Sequence, residues 1–466
     1  MNKIVPYIFI LLINVVFGQD KRLEKIDSIV SSWYSNNEFN GNILIAEKGN
    51  IIFNKSYGKA NEETGEMLNE NSQFELASVS KQFTATAIML LKERNQLSLD
   101  DPITKYFPEL VNYNKVTIKN LLNHTGGIPS FEEQYQKITD NNFPLNNEGV
   151  IKILLNTKPE FEVNKEFQYS NTGYVLLSLI VKKISNQSLN DFLQQNVFEK
   201  LGMNRTKIIV GNNLDYGSNY AFGYSYDFNL DKWILVENHP DVSNFVLPFK
   251  NIDGAKSVNS TILDLYKWEK SFNSEQILNK KSIEEMQTPN VLNNNKTTNY
   301  GYGLGILVHK QTQKKLIQHA GGIPGYSTFL INIPEDDITI IILSNRTDYE
   351  CNIPYNTILN TLYHKNLTFI QNKDLQYIEK EKLPIYEGLY FAKNDSIKLT
   401  VKGKHLMFDV NGSIPLELKL KEENVLINDI NRTEVRLKKD KKGNFVSLVL
   451  MVKGQKMKFK RVIKSN

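Results

Sequence analysis

Strand-like runs stand at both ends of the first 345 residues and enclose a long helical middle. Two of them, at 42–47 and 51–57, flank Lys48-Gly49-Asn50, a hairpin with turn chemistry at its tip. Such runs return only at 302–308, 315–319, 326–333 and 338–343, the last two joined by Pro334-Glu335-Asp336-Asp337. Between the two groups the apolar spacing is helical, clearest at 81–94, 118–122, 149–155, 174–184 and 189–199. A two-stranded hairpin has little stability alone. The two groups therefore predict one antiparallel sheet assembled from both ends of the segment. Helices at 21–33 and 355–363 would cover it, and the helical region would be an insert. The fold class is α+β.

After Tyr386 the chain changes character. Short alternating runs at 397–401, 406–410, 416–420, 425–427, 434–437, 446–452 and 457–462 are separated by polar or glycine turns. They predict a separate small all-β, barrel-like domain. The charge breaks at the same place. From Glu381 onward the chain carries 19 Lys+Arg against 10 Asp+Glu, a net of +9, so residues before it carry −4 of the total of +5. At the other end, Met1-Asn2-Lys3 precedes an apolar run from Ile4 to Phe17, with small Val16 and Gly18 before Gln19. This reads as a signal peptide cleaved near Gly18-Gln19, shorter than the roughly 20 residues of a membrane span. One cysteine, Cys351, excludes an internal disulfide and is expected to be a small buried hydrophobe.

Three short patterns carry chemistry, and each occurs twice. Ser-x-x-Lys occurs at Ser56–Lys59 and Ser78–Lys81, Tyr-Ser-Asn at Tyr34–Asn36 and Tyr169–Asn171, and His-x-Gly at His124–Gly126 and His319–Gly321. Local structure selects among the copies. A lysine three residues after a serine shares its face only on a helix. Ser78 precedes a strong helix, whereas Ser56 ends a strand. Two readings of Ser78 stay open: a helix N-cap with a solvated Lys81, or a nucleophile beside a base. Tyr169 and Asn171 stand where a strand-like entry meets a helix. There they can relay a proton and bind a carbonyl, or Ser170 and Asn171 can cap the helix. His319-Ala320-Gly321-Gly322 reads as a strand end opening a hairpin. His124 reads as a structural residue past a short helix.

In that order and those contexts, Ser78-x-x-Lys81, Tyr169-x-Asn171 and His319-x-Gly321 resemble the serine β-lactamase and penicillin-binding protein superfamily, in its class C-like branch. Leu97-Ser98-Leu99-Asp100-Asp101-Pro102, Leu201-Gly202-Met203, the stretch from Gly254 to Thr261 and Tyr302-Gly303-Leu304-Gly305 match as well. The resemblance spans roughly residues 25–365. The region opening at Tyr386-Glu387-Gly388-Leu389-Tyr390 resembles the lipocalin-like β appendage of many such hydrolases. The implied layout is a signal peptide at 1–18, a β-lactamase-like hydrolase domain at 19–370 and an all-β domain at 380–466.

By this resemblance Ser78 would form an acyl-enzyme, with Lys81 and Tyr169 sharing general-base and relay work. Asn171, His319 and Gly321 would bind substrate, and the backbone N–H groups of Ser78 and Gly322 would form the oxyanion hole. No metal or cofactor is implied. The expected protein is an exported, periplasmic or secreted serine hydrolase acting on an ester, amide, β-lactam or D-amino-acid peptide. The alternative is a catalytically weak penicillin-binding or cell-wall ligand-binding protein. The third motif carries His319-Ala320-Gly321 where most β-lactamases have Lys-Thr-Gly. That removes a cation and a hydroxyl suited to a substrate carboxylate, so an esterase or peptidase is favoured over a true β-lactamase. Val163-Asn164 stands where the family usually has Pro-Gly, and Asn tolerates the left-handed backbone. The expected partners are a small-molecule or peptide acyl substrate and, through the basic C-terminal domain, an anionic cell-envelope polymer. A total of +5 over 466 residues does not argue for nucleic acid.

Overall fold

The structure is a computed structural model. It describes residues 20–462 except 36, 139–144, 212–215, 347–354, 365–374, 394, 413–414, 429–432 and 453–454. The leader read at 1–18 and Cys351 lie outside the described residues.

Among the described residues, a six-stranded antiparallel sheet organises the first unit. Its order is Asn50–Tyr57, Gly41–Glu47, Ile338–Ser344, Tyr326–Ile333, Lys315–Ile323 and Gly305–Val308. The two groups of strands meet near its centre, where Gly41 pairs with Ser344 and Glu47 with Ile338. Successive side chains of a strand point to opposite faces. Ile43, Ile45, Ile340 and Ile342 pack with Ile26 and Val30 of helix Lys21–Ser35 and with Ile358 and Leu359 of helix Tyr355–Leu362. Leu44, Ala46, Ile341 and Leu343 join the larger core of the helical region instead. Both faces are covered, which is why these strands read as continuous apolar runs.

Most helices form within a few residues of their expected bounds: Ser80–Glu93, Ile118–Leu122, Asn147–Leu155 and Asn171–Ser185. Three expectations are corrected. The middle read as helical also carries short strands: Tyr224–Asp227 pairs with Lys232–Leu235, and Val258–Ser260 pairs with Phe74–Glu75 and Lys207–Ile208; they are too short to show an apolar period. The helix expected over 189–199 ends at Leu193 and continues as a π-helical turn, Gln194–Phe198. The strand expected to end at His319 runs on to Ile323, so Gly321 and Gly322 lie inside it and the turn falls at Pro324-Gly325. The glycines serve close approach rather than turning. A Cβ on Gly321 would stand 2.2 Å from the Leu76 carbonyl oxygen and 2.3 Å from Thr328 Oγ1.

The C-terminal strands close a barrel in sequence order: Gly388–Ala392, Asp395–Lys402, His405–Val410, Leu416–Glu422, Val425–Ile427, Glu434–Lys439, Phe445–Val452 and Gln455–Arg461. Its interior holds Tyr390, Leu399, Phe408, Leu426, Leu448 and Phe459. The first strand shuts it against the last, with Tyr390 opposite Arg461 and Phe391 opposite Lys460. Closure removes the open edges that short strands would otherwise expose.

Candidate active site

Ser78 sits where backbone geometry is forced. Leu76 donates its N–H to the Val258 carbonyl at 2.8 Å, and its own carbonyl accepts from Thr328 Oγ1 at 2.8 Å. Ala77 then takes a left-handed φ of +48°, sparsely populated for a residue with a Cβ. A 3₁₀ turn at Ala77–Val79 leads into helix Ser80–Glu93, whose N-cap is Val79 with no side-chain cap bond. The capping reading of Ser78 is therefore not realised. Its hydroxyl instead meets Lys81 Nζ at 3.1 Å.

Lys81 has no exposed surface. Its Nζ also reaches Asn171 Oδ1 at 2.7 Å and the Ala255 carbonyl at 2.9 Å. Asn171 is the first residue of helix Asn171–Ser185, and its amide donates to Glu132 Oε1 at 2.7 Å. Ser170, at the N-cap, makes no side-chain cap bond. Burial brings the Lys81 ammonium down to about 7; the Glu132 carboxylate opposes this and the Lys256 ammonium adds to it. At neutral pH a substantial fraction of Lys81 is thus an uncharged amine.

An aromatic cluster stands on the other side of the lysine. The ring of Tyr169 lies 4.9 Å from Lys81 Nζ and that of Tyr174 lies 5.6 Å from it. Tyr169 shares a hydrogen bond with Tyr300, which also bonds His319 Nε2. His319 Nδ1 donates to the Ala320 carbonyl at 2.7 Å, so Nε2 is the acceptor for the Tyr300 hydroxyl. Burial, then the Lys81 ammonium, hold His319 down at about 3, and it stays neutral. Both its ring nitrogens are engaged within the protein.

His124, read from the sequence as a structural helix-end residue, belongs to this cluster. Its ring lies 4.3 Å from that of Tyr169, centroid to centroid. Its carbonyl accepts from Gln168 N at 3.0 Å and its Nδ1 from Ser170 N at 3.1 Å, a two-point grip on the segment that carries Tyr169. Burial holds its imidazole well below the usual histidine range. Glu132, Tyr300 and the Ala255 carbonyl were likewise not singled out in the sequence. Ala255 and Tyr300 lie in or beside stretches that carried the resemblance; Glu132 gave no signal.

Beside Ser78 opens a cavity of about 220 Å³. Ser78, Asn171 and Gly322 line it, together with Phe131 and Phe249, which touch edge to face, and with the consecutive Leu235, Val236 and Glu237, whose wall includes the Glu237–Lys250 pair. Of the second copies of the motifs, His124 joins the aromatic cluster beside Tyr169, and the Ser-x-x-Lys copy stays apart from the site. Ser56 remains on strand Asn50–Tyr57, Lys59 pairs with Glu62 at 3.3 Å, and Asn36 lies outside the described residues. Among the described residues there is no group of three or more His, Cys, Asp or Glu placed to hold a metal ion.

Residues 38–358 match the protein family described as Beta-lactamase. The chain is 32% identical over 419 residues to penicillin-binding protein 4* of Bacillus subtilis, covering 86% of this chain and 90% of that protein. It is 26% identical over 362 residues to protein flp of Staphylococcus aureus, covering 76% of this chain and 69% of that one. Among solved structures, the octameric penicillin-binding protein homologue from Pyrococcus abyssi superposes with a TM-score of 0.62 at 26% identity, over 94% of this chain and 99% of that one. The D-amino acid amidase of Ochrobactrum anthropi shares the fold, with a TM-score of 0.61 at 23% identity over 73% and 99% of the two chains. With Lys81 bonded to both Ser78 and Asn171 and facing the Tyr169 ring, the chain belongs to the beta-lactamase and penicillin-binding protein superfamily of serine hydrolases.

Proposed function

We infer that this chain transfers acyl groups through an acyl-enzyme on Ser78. The observation that carries the reading is Lys81 Nζ, desolvated and 3.1 Å from Ser78 Oγ. The neutral amine takes the hydroxyl proton as Oγ attacks the acyl carbonyl carbon. The oxyanion that develops faces the backbone N–H groups of Ser78 and Gly322. Tyr169 passes the proton to the departing alcohol or amine as the C–O or C–N bond breaks. Water then enters by the same route in reverse and frees Ser78. Asn171 holds Lys81 through its carbonyl oxygen and orients the substrate.

The substrate class that fits is an ester, or an amide such as a D-aminoacyl amide or peptide, ahead of a β-lactam. The third motif offers no cation to a substrate carboxylate, since His319 is neutral and already bonded to Tyr300 and Ala320. The fold shared with an amidase suits an amide substrate, while a relative named penicillin-binding protein 4* keeps β-lactams in the test. The leader read from Ile4 to Phe17 extends the proposal to an exported protein whose mature chain begins at Gln19.

A panel of p-nitrophenyl esters, D-phenylalanine p-nitroanilide, a chromogenic cephalosporin and a fluorescent penicillin tests the reading beside Ser78→Ala. Wild type should turn over an ester or the anilide at least about tenfold faster than the cephalosporin. Ser78→Ala should lose about 10³-fold or more in kcat. Equal turnover by the variant would remove Ser78 as the nucleophile. A wild type that none of the compounds acylates would make the chain a binding protein.

A further inference from the structure

The geometry points to the barrel as a strut: its turn at 402–405 holds a hairpin of the hydrolase unit so that Leu235, Val236 and Glu237 stand as one wall of the substrate cavity. The hairpin pairs Tyr224–Asp227 with Lys232–Leu235, and among the described residues its only further pairing is a single bridge from Tyr224, at its base, to Arg346. A two-stranded ribbon of this kind is marginal without further packing. One end is fixed near Ser78. Val236 donates its N–H to the Gly223 carbonyl at 3.1 Å, and its side chain crowds Gly325, where a Cβ would stand 2.8 Å from Val236 Cγ1.

The tip is fixed by the barrel. Gly403, with φ +58°, approaches the Phe228 carbonyl so closely that a Cβ would lie 2.5 Å from the oxygen. The His405 ring stands 5.0 Å from that of Phe228, centroid to centroid. Lys404 Nζ meets Asp231 at 2.9 Å, between side chains 61% and 52% exposed, where screening leaves a pair little net strength. Lys402 bonds Asp241 just past the hairpin; the lysine is 19% and the aspartate 40% exposed, so that pair is less screened than Lys404–Asp231. Neither Lys402 nor Asp241 lines the cavity. They are positioning residues that act through the wall.

A loosened wall would weaken binding of substrates large enough to reach it. It would leave the Ser78–Lys81 chemistry alone. The kinetic part of the test rests on the Ser78 reading; hydrogen exchange does not. Full-length Lys402→Ala, Asp241→Ala and the exchanged pair Lys402→Asp with Asp241→Lys are compared on p-nitrophenyl acetate and p-nitrophenyl phenylacetate. In each single variant KM for the phenylacetyl ester should rise about fivefold or more, with kcat on the acetate unchanged. The exchanged pair should return toward wild type. Amide exchange over 232–237 should speed up in the single variants and recover in the pair. Lys404→Ala, at the exposed ion pair, tests the same contact without risk to folding and should accelerate the same amides less. Unchanged KM on both esters in the single variants, or unchanged exchange over 232–237 in all three, would overturn the strut. If wild type turns over neither ester, the Ser78 reading fails separately and the exchange data alone decide.

Discussion

Lys81 is a lysine with no exposed surface whose nitrogen has three neighbours: Ser78 Oγ, Asn171 Oδ1 and the Ala255 carbonyl. A neutral amine has two N–H groups and one lone pair. The two carbonyl oxygens can only accept, so they take the N–H groups, and the lone pair is left for the serine hydroxyl. The geometry thus suits the uncharged form, and burial brings the group down to about 7 to populate it. Below that pH the reactive fraction falls about tenfold per unit. The acylation rate should therefore climb from pH 5.5 to about 7 and level off above. His319, held at about 3, and Tyr300, raised well above the usual tyrosine range by burial, cannot produce that limb. Stopped-flow acylation across pH 5.5–8.5 checks this, and a flat profile would count against Lys81 as the base. Helical spacing and helix starts made Ser78, Lys81, Tyr169 and Asn171 candidates in the sequence, and the resemblance of the three ordered motifs to the superfamily, rather than geometry, chose them over the capping readings. The role of His124 was not legible, because its contribution is a grip on a distant backbone segment that only the folded chain brings near.

The strand Lys315–Ile323 shows what sequence leaves undecided in an element. Two consecutive glycines after a histidine read equally well as a turn or as a surface for close approach, and the two readings differ only in what packs there. In the fold, Gly321 lies against Leu76, one residue before the strained Ala77 and two before Ser78. Gly321→Ala would push the strand off that turn. It should cost about 1–3 kcal/mol of stability by overpacking. It should also lower acylation about tenfold or more, because the Gly322 N–H moves relative to Ser78. Urea unfolding read beside ester kinetics tests both parts. An alanine variant within twofold of wild type in acylation would show that the strand yields there without disturbing the site. The other strands of the six-stranded sheet were plain from apolar runs, but short polar ones inside the middle segment, such as Tyr224–Asp227 and Val258–Ser260, were not, because they are too short to show an apolar period. The barrel's first strand, Gly388–Ala392, was not read from its pattern: it is five residues long, and it pairs with the following Asp395–Lys402 as well as with Gln455–Arg461 across the closure.

On the scale of the whole chain, the split of charge into −4 and +9 was visible in composition, while its arrangement needed the barrel. Glu434–Lys439, Phe445–Val452 and Gln455–Arg461 are adjacent strands. Arg436 is opposite Val449, which is opposite Lys458; Lys438 is opposite Ser447, which is opposite Lys460. Cross-strand partners share a face, so these cations and Lys456 gather on the outside of one barrel wall. The acid on that wall, Glu434, is taken up by Lys421 and Arg436. Among the described residues, Lys456, Lys458 and Lys460 have no ion-pair partner, and alternation along the strand spaces them by about 7 Å. A row of this kind suits a linear anionic polymer, the partner expected from the sequence. Exposed charge pairs are screened by salt, so binding should be strong at low ionic strength and lost by a few tenths molar. The full chain should be retained on immobilised dextran sulfate, and the triple variant Lys456→Gln, Lys458→Gln, Lys460→Gln should elute at clearly lower salt with unchanged ester kinetics. Co-elution of the two proteins would remove the wall as the contact. Retention by phosphatidylglycerol vesicles but not by the resin would move the partner from a polymer to a lipid surface.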